Sequence, residues 1–256
     1  MDQEALIKSF KELSSKNVKI FIATPCMGGK IEAETVHGFL EFKALCQAFN
    51  IENHFSFLTH EALITRARNQ LVAEFMSSDF THLFFIDSDH GFDGANILIA
   101  ASRDRDIVAG MYPKKAHGAG LACSFTKGED GQPISDGELV ELKHAGTGFL
   151  CIKREAIELM ISKYPELRYE NTYSDKFTKE NPHLNIEKMK KYTYAFFDTL
   201  LEDKKYYGED NTFCKRWRDL GGKIWGDKLV RLSHVGRYVF ESPFYPHTGI
   251  LAASAE

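Results

Sequence analysis

Leu83-Phe84-Phe85-Ile86-Asp87-Ser88-Asp89-His90-Gly91 is the stretch on which the fold turns. A short apolar run ends abruptly in two carboxylates, one residue apart, followed by glycine. Such a run, bounded by turn signals, reads as a strand buried on both faces, as in parallel sheets. In open α/β sheets, ligands sit outside the carboxyl ends of the strands. Asp87 and Asp89 therefore face an expected ligand crevice. One can chelate a hard divalent cation directly while the other binds it through water or holds a sugar hydroxyl. Mg²⁺ and Mn²⁺ favour such oxygen ligands and share them with substrate phosphates. A bare Asp-x-Asp often does no more than end a strand and start a turn. The fully apolar run and the segments around it tip the reading toward a site.

Upstream, residues 2–15 place Leu6, Phe10 and Leu13 at helical spacing, an amphipathic helix expected to dock on the body of the protein rather than on a membrane surface. Val18-Lys19-Ile20-Phe21-Ile22-Ala23-Thr24-Pro25 reads as a first strand. Gly28-Gly29-Lys30 is no Walker loop, since Thr24 and Ile31 stand where glycine and Ser/Thr are needed. A helix follows over 32–49, with Val36, Phe39, Leu40, Phe42 and Leu45 on or near one face. Residues 55–59 make a second strand. The helix over 62–76 spaces Leu63, Ala67, Leu71 and Phe75 by four, and puts Arg66 and Asn69 on a shared face. An arginine fork matches phosphate oxygens and an amide can read a base or ribose edge; a solvated helix face is the plainer reading.

Downstream, a helix near 93–102 precedes a strand at 107–112, and the alternation of strand and helix predicts a parallel, doubly wound sheet. Lys114 and Lys115 close that strand with two cations, suited to a diphosphate or simply to a solvated turn. Shorter strands follow near 121–125 and 139–143. The turn Gly146-Thr147-Gly148 lets backbone approach a ligand closely. It leads into a strand at 149–153 and a helix over 154–163. Residues 164–195 read as a long loop or lid, and 196–200 as a strand. Glu209 and Asp210 open a helix over 209–220, as caps or as a general base. Strands at 223–225 and 229–232 end the pattern, with His234 just past the second, a candidate metal ligand.

The chain has 256 residues, 43% of them hydrophobic, enough for one sizeable core. A net charge of −4 argues against a nucleic-acid binder driven by phosphate neutralisation. Five widely spaced cysteines, with no Cys-x-x-Cys pair, predict reduced thiols and no structural zinc. No apolar run approaches the roughly 18 residues of a membrane span, and the polar N-terminus is no signal peptide. The expectation is a soluble, cytoplasmic protein.

In combination and order these pieces resemble the nucleotide-sugar-dependent glycosyltransferases of the GT-A fold, especially compact viral and bacterial members. The resemblance spans about residues 18–236: Thr24-Pro25, the Arg66/Asn69 helix, Asp87-Ser88-Asp89, the 146–148 turn, Glu209-Asp210 and His234. It implies a Rossmann-like α/β fold with a mostly parallel central sheet and a smaller mixed C-terminal part. It further implies one domain: a nucleotide-binding half at about 18–115, an acceptor and catalytic half at about 116–236, and a 237–256 tail. Thr24, Pro25, Arg66, Asn69, Asp87, Ser88, Lys114, Gly146, Thr147 and Gly148 would then hold the donor. Asp87, Asp89 and His234 would hold Mn²⁺ or Mg²⁺, and Asp210, with Glu209, would act as base for transfer with inversion. The donor implied is a nucleoside diphosphate sugar, UDP-sugar favoured, and the acceptor a hydroxyl such as a glycan's. A viral member would act in its host's cytoplasm.

Three other classes compete. Haloacid dehalogenase-type phosphatases also end an apolar strand in Asp-x-Asp, but near the domain's start, and Gly226-Asp227 lacks the following carboxylate that a later acidic pair needs. Sugar nucleotidyltransferases resemble a Gly-rich, Arg-containing first loop, which Thr24-Pro25-Cys26-Met27 is not. A non-catalytic sugar-nucleotide binder is separated from the enzyme by assay.

Overall fold

The computed structural model describes residues 3–116, 120–173, 175–236 and 238–241. Of the expected 237–256 tail, all but 238–241 lies outside the described residues. In chain order the elements are α1 (Gln3–Ser15), β1 (Lys19–Cys26), α2 (Ala33–Phe49), β2 (Glu52–Thr59), α3 (Ile64–Ser77), β3 (His82–Ile86), β4 (His90–Phe92), α4 (Ala95–Ser102) and β5 (Ile107–Gly110). There follow β6 (Cys123–Phe125), β7 (Ser135–Asp136), β8 (Leu139–Ala145), β9 (Phe149–Lys153), α5 (Arg154–Lys163), α6 (Asp175–Glu180) and α7 (Ile186–Met189). The chain continues through β10 (Leu200–Glu202), β11 (Lys205–Tyr207), α8 (Glu209–Asp219), β12 (Ile224–Asp227), β13 (Leu232–Val235) and β14 (Val239–Glu241).

The central sheet has the order β2-β1-β3-β9-β5-β12-β8-β6, with β7 alongside β8. All of its strands run in one direction except β8 and β9, which are antiparallel to their neighbours. The α/β class expected from the apolar runs is what the chain adopts. β9 inserts between β3 and β5, so strands from the two halves of the sequence interleave in one sheet.

Alternation along β3 shows why that strand must be wholly apolar. Leu83 and Phe85 pack into a core layer with α3, α5 and α8, whereas Phe84 and Ile86 pack into a second layer with α1, α2 and α4. A strand covered on both faces has no polar position to offer. Burying such side chains stabilises by about 1.5–3 kcal/mol each relative to exposure.

Several elements depart from the sequence expectations. In α2 the buried stripe is Thr35, Phe39, Phe42 and Cys46, while Val36 and Leu40 face outward, Leu40 being 65% exposed. Thr35, Phe39, Phe42 and Cys46 recur at steps of three and four, so one face of the helix is covered and the other is left to solvent. Residues 164–195 are not a free loop: α6, α7 and two turns of 3₁₀ helix occupy them, and Met189, Thr193 and Tyr194 are buried. Residues 196–199 form no strand. The Asn69 amide instead donates to the Phe197 carbonyl and accepts from the Phe197 N–H, both at 2.9 Å, satisfying backbone that no strand pairs. Phe197 stacks on Phe213 with ring centroids 4.4 Å apart. The last strand expected at 229–232 lies at Leu232–Val235, so His234 is inside it. Among the described residues no helix is long and apolar enough to cross a membrane.

His82, at the start of β3, is buried, and burial, helped by the nearby Lys153 charge, lowers its pKa from 6.5 to about 4. The unfolded chain therefore binds a proton here, below about pH 6.5, that the folded chain refuses until about pH 4. Stability present at neutral pH is expected to fall across that window by up to about 3 kcal/mol. Urea unfolding at several pH values, with His82→Gln as the control that loses this slope, checks it.

Candidate functional site

Because side chains alternate along a strand, Asp87 continues the Leu83 and Phe85 side and points toward α3 and α8. There it meets Arg68, whose Nη2 donates to both carboxylate oxygens at 3.0 and 3.3 Å. Arg68 is 2% exposed, lies over the Phe85 ring at 5.3 Å, and has Glu209 Oε1 3.6 Å from its Nε. Among the described residues its Nε and Nη1 have no hydrogen-bond partner. Burial opposes the guanidinium's charge, but Asp87 and Glu209 outweigh it and raise the pKa. The first turn of α8 and the end of β3 are thus joined through one buried cation.

Two residues further, the chain turns back into β4, which pairs antiparallel with β13 and sets His90 opposite His234. Their rings stack with centroids 4.4 Å apart, and Tyr112 meets the His90 ring edge-on at 4.3 Å. Asp89 Oδ1 lies 3.2 Å from His90 Nδ1 and 3.6 Å from His234 Nε2. The Asp89, His90 and His234 donor atoms all fall within 4.8 Å of one another. His234 Nδ1 lies 2.9 Å from the Pro113 carbonyl. Since a carbonyl only accepts, Nδ1 is the donor there, and Nε2 is the nitrogen that faces Asp89. His90 is fully buried, and although its Nδ1 is near Asp89, neither ring nitrogen makes a well-directed hydrogen bond. Burial lowers the His90 pKa, so the ring is held neutral. Burial alone would raise the Asp89 pKa, but its contacts with His234, His90 and Lys115 hold it well below the usual carboxylate range. Two imidazoles and one carboxylate make a donor set for a divalent cation. Orphaned nitrogens on a buried ring are costly unless something takes them up.

The small residues at 146–148 serve this cluster. Asp87 N–H donates to the Gly148 carbonyl and Gly148 N–H donates to the Tyr112 hydroxyl, both at 3.0 Å. A Cβ at Gly148 would lie 2.6 Å from His90 Nε2, and one at Gly146 would collide with the Tyr112 hydroxyl. The glycines thus admit the site's own side chains, a close approach sequence reading assigned to a ligand. Gly148→Ala is expected to push His90 off the cluster and weaken divalent-metal affinity by at least about tenfold. A metal titration followed by thermal shift measures it.

The other sequence candidates distribute as follows. Thr24 is buried with its Oγ1 unpartnered, Pro25 is buried beside it, and Ser88 gives its carbonyl to the Glu32 N–H and Thr35 hydroxyl. Arg66 and Asn69 do not share an environment: Arg66 is largely exposed and paired with Glu61, whereas Asn69 is buried against Phe197. Burial in α3 begins at Ala67 and runs on through Met76, so Arg66 stands in the exposed first turn just ahead of it. Lys114 is exposed, and Lys115 Nζ pairs with Asp89 at 2.5 Å. Asp210 lies in the first turn of α8, its carboxylate on the Asn211 N–H. Burial lowers the pKa of nearby His144, the Asp210 charge opposes this, and Lys114, Lys143 and Arg218 add to it.

Sequence reading passed over Arg68, His90 and Tyr112. Arg68 had a signal: Leu71, Val72 and Phe75 follow it at helical spacing, so it sits in the buried stripe. His90 had none, because only the pairing of β4 with β13 brings it to His234.

No family model matches the chain, and no curated protein does. Solved structures give distant likenesses. A structure of GalNAc-T7 with UDP, GalNAc and Mn²⁺ is 10% identical, covering 91% of this chain and 46% of that one, with a TM-score of 0.46. This chain thus spans about half of that protein's length. A nucleoside-diphosphate-sugar pyrophosphorylase from Vibrio cholerae is 12% identical over 86% of this chain and 76% of that one, at a TM-score of 0.34. A glycosyltransferase involved in glycosylation of the major capsid of PBCV-1 is 12% identical over 66% of this chain and 75% of that one, at 0.30. Likenesses this distant assign no activity to the chain.

Proposed function

We propose that this protein is a metal-dependent glycosyltransferase that moves a sugar from a nucleoside diphosphate sugar, a UDP-sugar in the favoured reading, to a hydroxyl acceptor such as a glycan. One observation carries the proposal: Asp89, His90 and His234 converge at the end of the apolar β3 strand, with Arg68 holding Asp87 beside them. Asp89, His90 and His234 would hold a divalent cation there. Two imidazoles suit Mn²⁺ better than Mg²⁺, which prefers oxygen throughout. Held there, the cation would supply electrostatic stabilisation of the leaving diphosphate. This ligand set takes His90 where the sequence suggested Asp87, whose carboxylate is engaged by Arg68.

The chain's own residues do the rest. Ser88 faces the donor side, the buried Thr24, Pro25 and 146–148 turn support it from behind, and Lys114 and Lys115 add positive charge where the diphosphate departs. Asp210, at the start of α8, takes the proton from the attacking hydroxyl, which gives inversion by direct displacement. Glu209 is committed to Arg68 at 3.6 Å and serves to place the start of α8. Residues 18–115 carry the donor side and 116–236 the acceptor side of one domain.

A thermal-shift panel of nucleoside diphosphate sugars, with and without Mn²⁺, tests this on wild type and Asp89→Ala. Binding to the native state alone raises the melting temperature with saturation. A metal-dependent shift with one nucleotide family, lost in the variant, is expected. No shift with any nucleotide sugar overturns the proposal.

A further inference from the structure

Away from the metal cluster, a groove of about 610 Å³ opens between β6, β8 and the far end of α8. Lys127, Lys143, Arg218 and Lys223 line it, against the single carboxylate of Glu141, with Phe125 at its side. Glu141 is already neutralised by Lys223 at 2.9 Å. Arg218 donates to the Lys143 carbonyl at 3.0 Å, a contact that leaves its charge unopposed. Among the described residues, Lys127, Lys143 and Arg218 have no carboxylate at ion-pair distance. Three unopposed cations gathered in one groove stand out on a chain whose net charge is −4. Like charges gathered in one groove repel, and among the described residues no carboxylate at ion-pair distance relieves the three of them.

Two elements measure how far this groove lies from the chemistry. β8 runs from the groove toward the site and passes directly into the 146–148 turn. At about 3.3 Å per residue, Lys143 is roughly 10 Å from Gly146. α8 runs the opposite way, from Asp210 beside the site to Arg218 in the groove. At about 1.5 Å per residue, that is roughly 12 Å. The two rulers agree, and His144 sits within the influence of Asp210, Lys143 and Arg218 together.

We infer that this groove binds a soluble anionic glycan acceptor, its carboxylate or phosphate groups on Lys127, Lys143 and Arg218 while a hydroxyl two or three sugar units away reaches Asp210. The inference rests on the glycosyltransferase reading for the word acceptor; the anion-binding groove stands on its own charges. The exposed Phe125 ring, 37% accessible, offers an apolar face for a sugar between the charged groups.

The chain reports on this groove by itself. Its two tryptophans both border it: the Trp217 indole donates to the Lys223 carbonyl at 3.0 Å, and the Trp225 ring lies 5.6 Å from Lys223 Nζ. Intrinsic fluorescence is titrated with tetragalacturonate, with singly phosphorylated maltotetraose and with neutral maltotetraose, on wild type and on Lys127→Ala/Lys143→Ala. These exposed side chains leave the core and the metal cluster untouched. The expected result is saturable binding of one or both anionic oligosaccharides, weakened by added salt, reduced about tenfold in the double variant, and absent for the neutral sugar. Preference between the carboxylated and phosphorylated probes identifies the anion. The shift produced by nucleotide sugar and Mn²⁺ is expected to be unchanged in the double variant. Nucleotide binding without binding of either anionic probe overturns the groove assignment and leaves the donor reading intact. Anionic-probe binding by a protein that binds no nucleotide sugar overturns the acceptor role. Binding to phosphatidylserine vesicles in place of both soluble probes overturns the glycan assignment in favour of a membrane surface.

Discussion

His90→Leu is expected to abolish metal-dependent donor binding while leaving the metal-free protein as stable as wild type, or more so. The imidazole is fully buried, with neither ring nitrogen in a well-directed hydrogen bond. An unsatisfied buried polar group costs about 1–3 kcal/mol, so an apolar side chain of similar size removes a penalty. If His90 only packs against His234 and Tyr112, the variant keeps wild-type metal affinity and turnover. If it is a ligand, metal affinity falls by at least about tenfold and turnover by about a thousandfold, the scale of losing a cation that stabilises transition-state charge. Urea unfolding with and without Mn²⁺ separates the cases. A gain or no change in stability without metal, joined to loss of the Mn²⁺-induced increment, is the signature of a ligand. A drop in metal-free stability with the increment retained overturns the assignment.

Arg68→Met should have the largest effect on stability of any single change near the site. The guanidinium is 2% exposed, holds Asp87 at 3.0 Å, and stands 3.6 Å from Glu209. Removing one member of a buried ion pair leaves the other charge uncompensated and costs about 3–5 kcal/mol. Here two carboxylates lose the same partner, which places the expectation at the upper end. Arg68→Lys keeps the charge without the planar fork, and should recover most of the stability while leaving Asp87 poorly oriented. The double variant Arg68→Met/Asp87→Asn tests the electrostatic origin directly. Taking away the stranded charge should restore about half of the loss or more in urea unfolding, without restoring nucleotide-sugar binding. If the double variant is no more stable than Arg68→Met, the arginine acts through packing on Phe85 instead.

The polar pattern in the sequence marked where the site lies because its cause is local. A strand covered on both faces must be apolar throughout, so the first carboxylates after Ile86 mark where the sheet ends and a crevice begins. The α/β class, the helix beginning at Glu209 and the helices flanking the first strands follow from the same short-range periodicity.

The membership of the site is another matter. Arg66 and Arg68 are two residues apart on one helix, and the apolar spacing at Leu71, Val72 and Phe75 marks Arg68 as the inward one without saying which acids it meets. The fold sent Arg66 to Glu61 at the surface and Arg68 to Asp87 in the interior. Asn69 became a tie for the Phe197 backbone, since 196–199 pairs with no strand and some polar group had to satisfy it. His90 and His234 are far apart in sequence, and only the antiparallel register of β4 with β13 places them face to face. The sequence by itself determined the sheet, the place where it ends and the acids that stand there, because burial dictates composition strand by strand. Only the tertiary structure decided which cation, which histidines and which glycines meet those acids, because such contacts depend on register between distant strands.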